Sequence, residues 1–552
     1  MWVAAKSFAR RTFAGPSRPR PPPRPSPSPV DRDDTRHRHQ FNPDPFTLTP
    51  PEEHKHLPLV NAQTLAASKT RPRSCRMLAR DFIHDSLYNP HYGYFSRHAV
   101  LLPDVENEQG EREATFGDIK NEADFMRKVE GSYIAFEKNF MDRAAKNAPA
   151  PPPPPAHPES TPAPPRAPSQ LPRSFSAAGL DAAKAQGRAA WLKSQQQGMQ
   201  HDEDVTSMVA RQVWHTPTQL FKPHYANIVA QHCIDSISDG RPLIIYEMGA
   251  GSGAMAECVL NYVQERYPDM YSSMRYHIIE ISDRLATQQT QRLTKHLDNK
   301  RVTIHRQDIL TWNTPVHEDC FVLGLEVLDN LSHDVVRYST SDSTPYQCYI
   351  SIDSTGDMHE LYTPVTDPLI RQFLSLYHQL RPQEQAPALP KTLTSLPSPL
   401  RRLVANQLPF YPNMSQPHFI PTSSLKLLQT LAHFFPNHRP IFSDFHTLPK
   451  DASVKGINGP IVQTRIGGEM VDVGTYAVLQ GYFDIFFPTD FELLRDFYAQ
   501  VDNDGRVARR GLEVVKHRAF LERYPHLAKG CQLKDGSNPM LSWYENASWL
   551  IG

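Results

Sequence analysis

The chain has 552 residues, and 59 lysines and arginines balance 59 aspartates and glutamates for a formal net charge of +0. That balance offers no general electrostatic basis for a nucleic-acid partner, and the sequence holds no run of about 18 apolar residues of the kind that spans a membrane. Proline outnumbers glycine by 52 to 25, which points to extended, unpacked tracts, and the length allows two domains or one with large insertions. The cysteines, at 75, 233, 258, 320, 348 and 531, stand singly, several of them in apolar runs. This argues against a disulfide framework and a cysteine-rich zinc site, and no metal site is predicted.

In residues 1–30, Lys6, Arg10, Arg11, Arg18, Arg20 and Arg24 precede the first acid, Asp31, with Trp2, Val3, Phe8 and Phe13 interspersed. An arginine-rich, acid-free start of this kind suits a mitochondrial presequence or a basic disordered arm; the presequence is our expectation. Residues 31–73 are expected to be disordered. Residues 75–88 have helical spacing, with Ser74 as the cap and a stop before Pro90. Helical patterns resume over 122–145, so 74–147 reads as an N-terminal helical part. A Pro/Ala-rich insertion occupies 148–204, including the prolines at 151–155, and reads as an extended spacer. The main domain is expected over 205–552, with a Pro-rich surface loop near 381–399.

Within that domain the pattern alternates. Strands are predicted at 243–248, 276–281, 302–305 and 320–325, and helices at 254–267 and 283–297. This is the signature of βαβ units and a parallel sheet, hence an α/β fold with helices on both faces and its ligand at the C-terminal edge of the strands. Between the first strand and helix stands Glu247-Met248-Gly249-Ala250-Gly251-Ser252-Gly253-Ala254. Glycines let the backbone turn sharply and let a ligand lie against it, and the helix that follows aims its first N–H groups at the turn. Gly249, Gly251 and Ala254 satisfy the dinucleotide fingerprint. Glu247, Gly249, Gly251 and Gly253 equally satisfy the first motif of class I methyltransferases, which bind S-adenosylmethionine. A carboxylate next to the loop attracts the sulfonium of that cofactor and repels a pyrophosphate, so Glu247 favours S-adenosylmethionine over NAD.

Further acids follow in register. Glu280 ends the second strand, where a carboxylate accepts from ribose hydroxyls of either cofactor, and Asp308 follows the third, where it would meet an adenine amino group. Taken singly, each also reads as a helix cap or a surface acid. Glu326 and Asp329 follow the fourth strand at i, i+3. They would hold a guanidinium if the segment turns into a helix, or they are simply acids favoured at a helix N-terminus.

These motifs, with several others, resemble those of the MidA-like methyltransferase family (domain of unknown function 185). The segment from Asp81-Phe82-Ile83-His84 to Tyr92-Gly93-Tyr94-Phe95 resembles the N-terminal signature, and Thr216-Pro217 with Phe221 a second motif. Glu247 to Gly253 matches the cofactor loop, Glu280-Ile281-Ser282-Asp283-Arg284-Leu285 the second strand, and Glu326-Val327-Leu328-Asp329-Asn330-Leu331 the fourth. Ser443-Asp444-Phe445, then Gly481-Tyr482-Phe483-Asp484 with Asp490-Phe491, complete the order, and 481–497 is most similar to fungal members. The resemblance implies a class I methyltransferase fold with S-adenosylmethionine as cofactor. It also implies transfer to arginine of a mitochondrial matrix protein, such as a subunit of respiratory complex I during assembly.

Glu326 and Asp329 are then the candidate catalytic acids, with Tyr92 and Tyr94 as aromatic walls or as ordinary packing. The chain departs from the family at Gln212-Val213-Trp214, Leu325, Ser332, His446 and near Pro488. Because these departures lie on the substrate side, a catalytically silent assembly factor of the same fold stands as the alternative. An NAD-dependent oxidoreductase is disfavoured by Glu247 and by the lack of a recognisable hydride-transfer acid–base pair.

Overall fold

The alternating apolar segments after residue 242 build a seven-stranded sheet in the computed structural model. The structure describes residues 52–97, 100–101, 115–131, 213–214, 216–238, 240–384, 396–397, 399–400, 414–450, 452–466, 469–502 and 511–552. The expected presequence (1–30), the 148–204 insertion and most of the 381–399 loop lie outside these residues.

The strands are β1 (Ile244–Met248), β2 (Arg275–Glu280), β3 (Val302–Arg306), β4 (Cys320–Leu325), β5 (His438–Phe445), β6 (Glu513–Lys516) and β7 (Ala547–Ile551). They lie in the order β6-β7-β5-β4-β1-β2-β3. β1 to β5 run parallel, whereas β7 is antiparallel to both β5 and β6. From β1 the chain builds outward through β2 and β3, then crosses back to lay β4 on the other side. Strand order therefore reverses between β1 and β4, and a crevice opens beyond their C-terminal ends.

The longer helices are α1 (Ala79–Tyr88), α2 (His224–Ser236), α3 (Ala254–Arg266), α4 (Asp283–Arg292), α5 (Pro368–Leu380), α6 (Thr422–Phe434) and α7 (Phe491–Val501). Every residue of β1 is buried, because period-2 alternation sends its side chains into two separate cores. Ile245 belongs to the core that holds Ile228 of α2 and Val259 of α3, while Tyr246 belongs to the core that holds Leu431 of α6 and Tyr498 of α7. The predicted helix at 283–297 is interrupted at Leu293, with a short turn of helix at Thr294–Asp298 after it.

A second sheet is inserted between β4 and β5. Its central strand, Pro345–Ile352, pairs with Met358–Pro364 along one edge and with both Cys75–Leu78 and Asp334–Tyr338 along the other. This corrects the N-terminal reading. Residues 75–78 form a strand, not the first turn of a helix, and Ser74 sits at φ 50 instead of capping. Cys75 and Met77 point into the core, and the unpaired edge of the 345–352 strand outweighs local helical spacing. The helix starts at Ala79 and is pinned by Arg80, which donates to Asp334 at 2.7 Å and to Asp367 at 2.6 and 2.9 Å. Residues 52–73, expected to be disordered, carry the short helices Glu52–Lys55 and Ala62–Leu65. No disulfide joins any of the six cysteines. Among the described residues no helix is long and apolar enough to cross a membrane.

Candidate functional site

The crevice beyond β1 and β4 is shaped by the glycine loop. Gly249, Gly251 and Gly253 have φ of 62°, 55° and 80°, in the left-handed region that glycine enters at least cost. A Cβ on Gly249 would stand 3.1 Å from Val327 Cγ2 across the crevice, and one on Gly253 would stand 3.4 Å from Gln289 Cγ. The loop is held from below: Gly249 N donates to Ile279 O at 3.0 Å, and Gln289 Nε2 donates to Gly251 O at 2.9 Å. Gly249 and Gly251 line the crevice, whereas Gly253 starts α3 behind it.

The predicted acids converge on this space. Glu247, Glu280, Asp308, Glu326 and Asp329 all line it. Glu247 is buried and accepts from the Tyr276 hydroxyl at 2.8 Å; burial pushes its carboxyl up to about 8. Glu280 accepts from Ser282 N and from Gln289 Nε2, each at 2.9 Å, and burial raises it to about 7. The Gln289 amide thus ties the loop carbonyl to the Glu280 carboxylate. Asp308 caps the short turn that follows β3: Oδ1 accepts from Leu310 N at 2.8 Å. Its Oδ2 faces His84 Nε2 at 3.8 Å.

On the β4 side the structure differs from the sequence reading. No helix follows the strand; instead Glu326 turns the chain at φ 54°, with its N–H donating to Ser443 O at 2.9 Å. Asp444, at the end of β5, holds this turn: Oδ2 accepts from Leu328 N at 2.8 Å and Asp329 N at 3.0 Å, and Oδ1 from Phe445 N at 2.7 Å. Asp484 accepts from Asn330 Nδ2 at 3.1 Å. Burial and mutual repulsion hold the Glu326 and Asp329 carboxyls well above the usual carboxylate range; burial does the same for Asp484 and raises Asp444 to about 7. Asp329 Oδ1 and Asp484 Oδ2 have no hydrogen-bond partner, and among the described residues no lysine or arginine pairs with any of the four acids.

Tyr92 and Tyr94 do not line the crevice. The Tyr92 hydroxyl donates to Asp85 at 2.9 and 2.8 Å, and Tyr94 is buried against Phe95. Their packing role prevails because Asp85, a buried carboxylate, takes the Tyr92 hydroxyl for itself. The aromatic wall comes instead from Tyr88 and Phe95, stacked 5.3 Å apart, with His84 one turn earlier on α1. The Tyr88 hydroxyl donates to Asn330 O at 3.2 Å, closing α1 over the crevice. All three lie in the signature segment, so the motif marks the wall, with Tyr88 and Phe95 in the place expected of Tyr92 and Tyr94. Asp444 and Asp484 were also present in motifs, but only the tertiary structure brings them to Asp329.

A family model described as "Putative S-adenosyl-L-methionine-dependent methyltransferase" matches residues 227–506, about half of the chain. The chain belongs to this methyltransferase family. Its cofactor is S-adenosylmethionine, in agreement with the glycine loop and its flanking acids. The methyltransferase is 25% identical over 227 residues to "Protein arginine methyltransferase NDUFAF7 homolog, mitochondrial" of Schizosaccharomyces pombe. That match spans 40% of this chain and 46% of the relative, so less than half of the curated relative is covered. A Burkholderia thailandensis structure bound to S-adenosyl-homocysteine aligns at 14% identity and a TM-score of 0.39, over 62% of this chain and 79% of that one. A ligand-free structure from the same organism aligns at 14% identity and a TM-score of 0.38, over 60% and 79%.

Proposed function

We propose that this methyltransferase has the class I fold and methylates an arginine side chain of a mitochondrial matrix protein, a respiratory complex I subunit being the leading candidate. The observation that carries the reading is the group of four buried carboxyls, Glu326, Asp329, Asp444 and Asp484, with two unpartnered oxygens and, among the described residues, no lysine or arginine paired with them. Such a group is costly unless a positive guest enters. A guanidinium, always charged and offering a planar fork of donors, fits it. The name of the fission-yeast relative points the same way.

The crevice fits the cofactor. A Cβ at Gly249 would crowd Val327 across the left-handed cradle, and the acids that line the crevice suit a cationic guest. Glu280 would take the ribose hydroxyls, Asp308 the adenine amino group, and Glu247 the positively charged end. When bound, S-adenosylmethionine supplies an electrophilic methyl group on sulfonium sulfur. The chain's own residues do the rest. Glu326 and Asp329 orient the guanidinium, and Asp444 fixes the turn that carries them, so positioning supplies most of the rate. Tyr88 and Phe95 exclude water. Their buried setting gives Glu326 and Asp329 a high proton affinity, so one of them takes up the proton released from the methylated nitrogen.

The test is in two parts: calorimetry with S-adenosylmethionine, then mass spectrometry of mitochondrial proteins from cells lacking the enzyme. Binding together with loss of a methylarginine mark is expected. Binding without any lost mark would replace the enzyme with a silent assembly factor, and absence of binding would defeat both readings.

A further inference from the structure

Away from the crevice, three side chains with metal-ligand chemistry meet. His54 lies on the short helix Glu52–Lys55, His359 on the strand Met358–Pro364, and Asp353 in the turn that precedes that strand. One ligand atom of each comes within 4.8 Å of the other two. His54 is 6% exposed, and the other two are half-buried. The two imidazoles stand edge to face with centroids 4.6 Å apart, and among the described residues no hydrogen bond joins them. None of the three lines the crevice.

Two of the three side chains, His54 and Asp353, are oriented from behind by hydrogen bonds, as metal ligands are. His54 Nδ1 shares a 2.5 Å hydrogen bond with Ser351 Oγ; when Nδ1 carries the proton, Nε2 keeps its lone pair. Asp353 Oδ1 accepts from the backbone N–H groups of Thr355, Gly356 and Asp357 at 2.7–2.9 Å and from the Thr355 hydroxyl at 2.7 Å. Oδ2 is the oxygen left over. His359 is set by strand pairing directly opposite Ser351.

We propose that His54, Asp353 and His359 bind one divalent transition-metal ion. Two imidazoles and a carboxylate are borderline donors, and zinc with a water as fourth ligand matches them best. Ligand atoms about 2.1 Å from a shared tetrahedral ion stand about 3.4 Å apart, so loading draws the trio together by no more than about 1.4 Å. The ion fastens the 52–60 segment to the inserted sheet. That segment also pairs with Arg76, through Val60 N to Arg76 O at 3.0 Å and Arg76 N to Pro58 O at 2.9 Å. The strand holding Arg76 leads into α1, so the clip braces the helix that carries His84 and Tyr88.

Full-length protein stripped of metal is titrated with zinc by calorimetry and with cobalt by visible absorption. One equivalent of zinc is expected, along with the intense cobalt bands of a four-coordinate site. Ser351→Ala should weaken zinc binding about 10- to 100-fold, as loss of an outer partner does, and His54→Ala or His359→Gln by more. Failure of the unaltered protein to take up an equivalent of zinc would overturn the proposal. So would uptake by His54→Ala equal to that of the unaltered chain, which would place the ion elsewhere.

Discussion

Replacing Glu247 with glutamine isolates the energetic consequence of burying an acid under the cofactor loop. The glutamine carbonyl still accepts from the Tyr276 hydroxyl, which bonds the carboxylate at 2.8 Å, so only the titration is removed. Burial raises this carboxyl from 4.5 to about 8 in the folded protein. The folded state therefore holds a proton that the unfolded chain has lost, and stability is complete below about pH 4.5 and falls as pH rises through about 8. At about 1.36 kcal/mol per unit, the loss between about pH 5 and pH 8 integrates to roughly 3.5 kcal/mol. That figure is a ceiling, because water reaching the crevice favours the ionised form. Urea unfolding of the ligand-free proteins should give nearly equal stabilities at the acid end, with Glu247→Gln gaining up to that amount by pH 8. Parallel pH profiles for the two proteins, or a less stable glutamine variant at pH 8, would refute the buried, proton-holding Glu247. With the cofactor's positively charged end at Glu247, as proposed, the native protein should regain stability at pH 8 on binding it while the variant gains less.

Gly251→Val places a β-branched residue at φ 55°, at a strain cost of about 1–2 kcal/mol, and puts its methyls in the crevice. Calorimetry should then show cofactor affinity reduced by at least about 100-fold, roughly 2.7 kcal/mol. Glu326→Gln should leave the cofactor Kd unchanged and lower kcat by about 10²- to 10⁴-fold, the range of a lost proton acceptor; equal losses in both would move Glu326 into the cofactor shell. Tyr92→Phe should leave the methylation rate of folded protein unchanged but cost about 1–3 kcal/mol in denaturant unfolding, because the buried Asp85 loses its hydroxyl donor. A rate loss with unchanged stability would restore Tyr92 to the site.

Much of the parallel sheet was legible because its signals are local. β1 and β4 are two-sided apolar runs, and β2 and β3 follow as shorter apolar stretches between helical patterns. The loop between β1 and α3 needs three left-handed residues, and Glu247 and Glu280 sit at strand ends whose position follows from the alternation itself. The same strand register led to Asp308 and to the β4 acids, the latter also marked by the family motif at 326–331. What escaped the reading depends on partners far away in sequence. Residues 75–78 look helical until the edge of the 345–352 strand is available to pair. The turn at Glu326 looks like the start of a helix until Asp444 captures the N–H groups of Leu328 and Asp329. Tyr92 and Tyr88 are equivalent aromatics on paper; only the buried Asp85 decides which hydroxyl is spoken for and which ring faces the crevice.

The sequence by itself therefore determined the four strands β1 to β4, the glycine cradle and the acids at the strand ends, since these follow from backbone conformation and side-chain periodicity within a few residues. The tertiary structure alone decided which carboxyls share one buried space, which aromatics wall it, and that His54 meets Asp353 and His359. Desolvation and hydrogen-bond competition act between groups close in space, and no local pattern encodes which distant groups those will be.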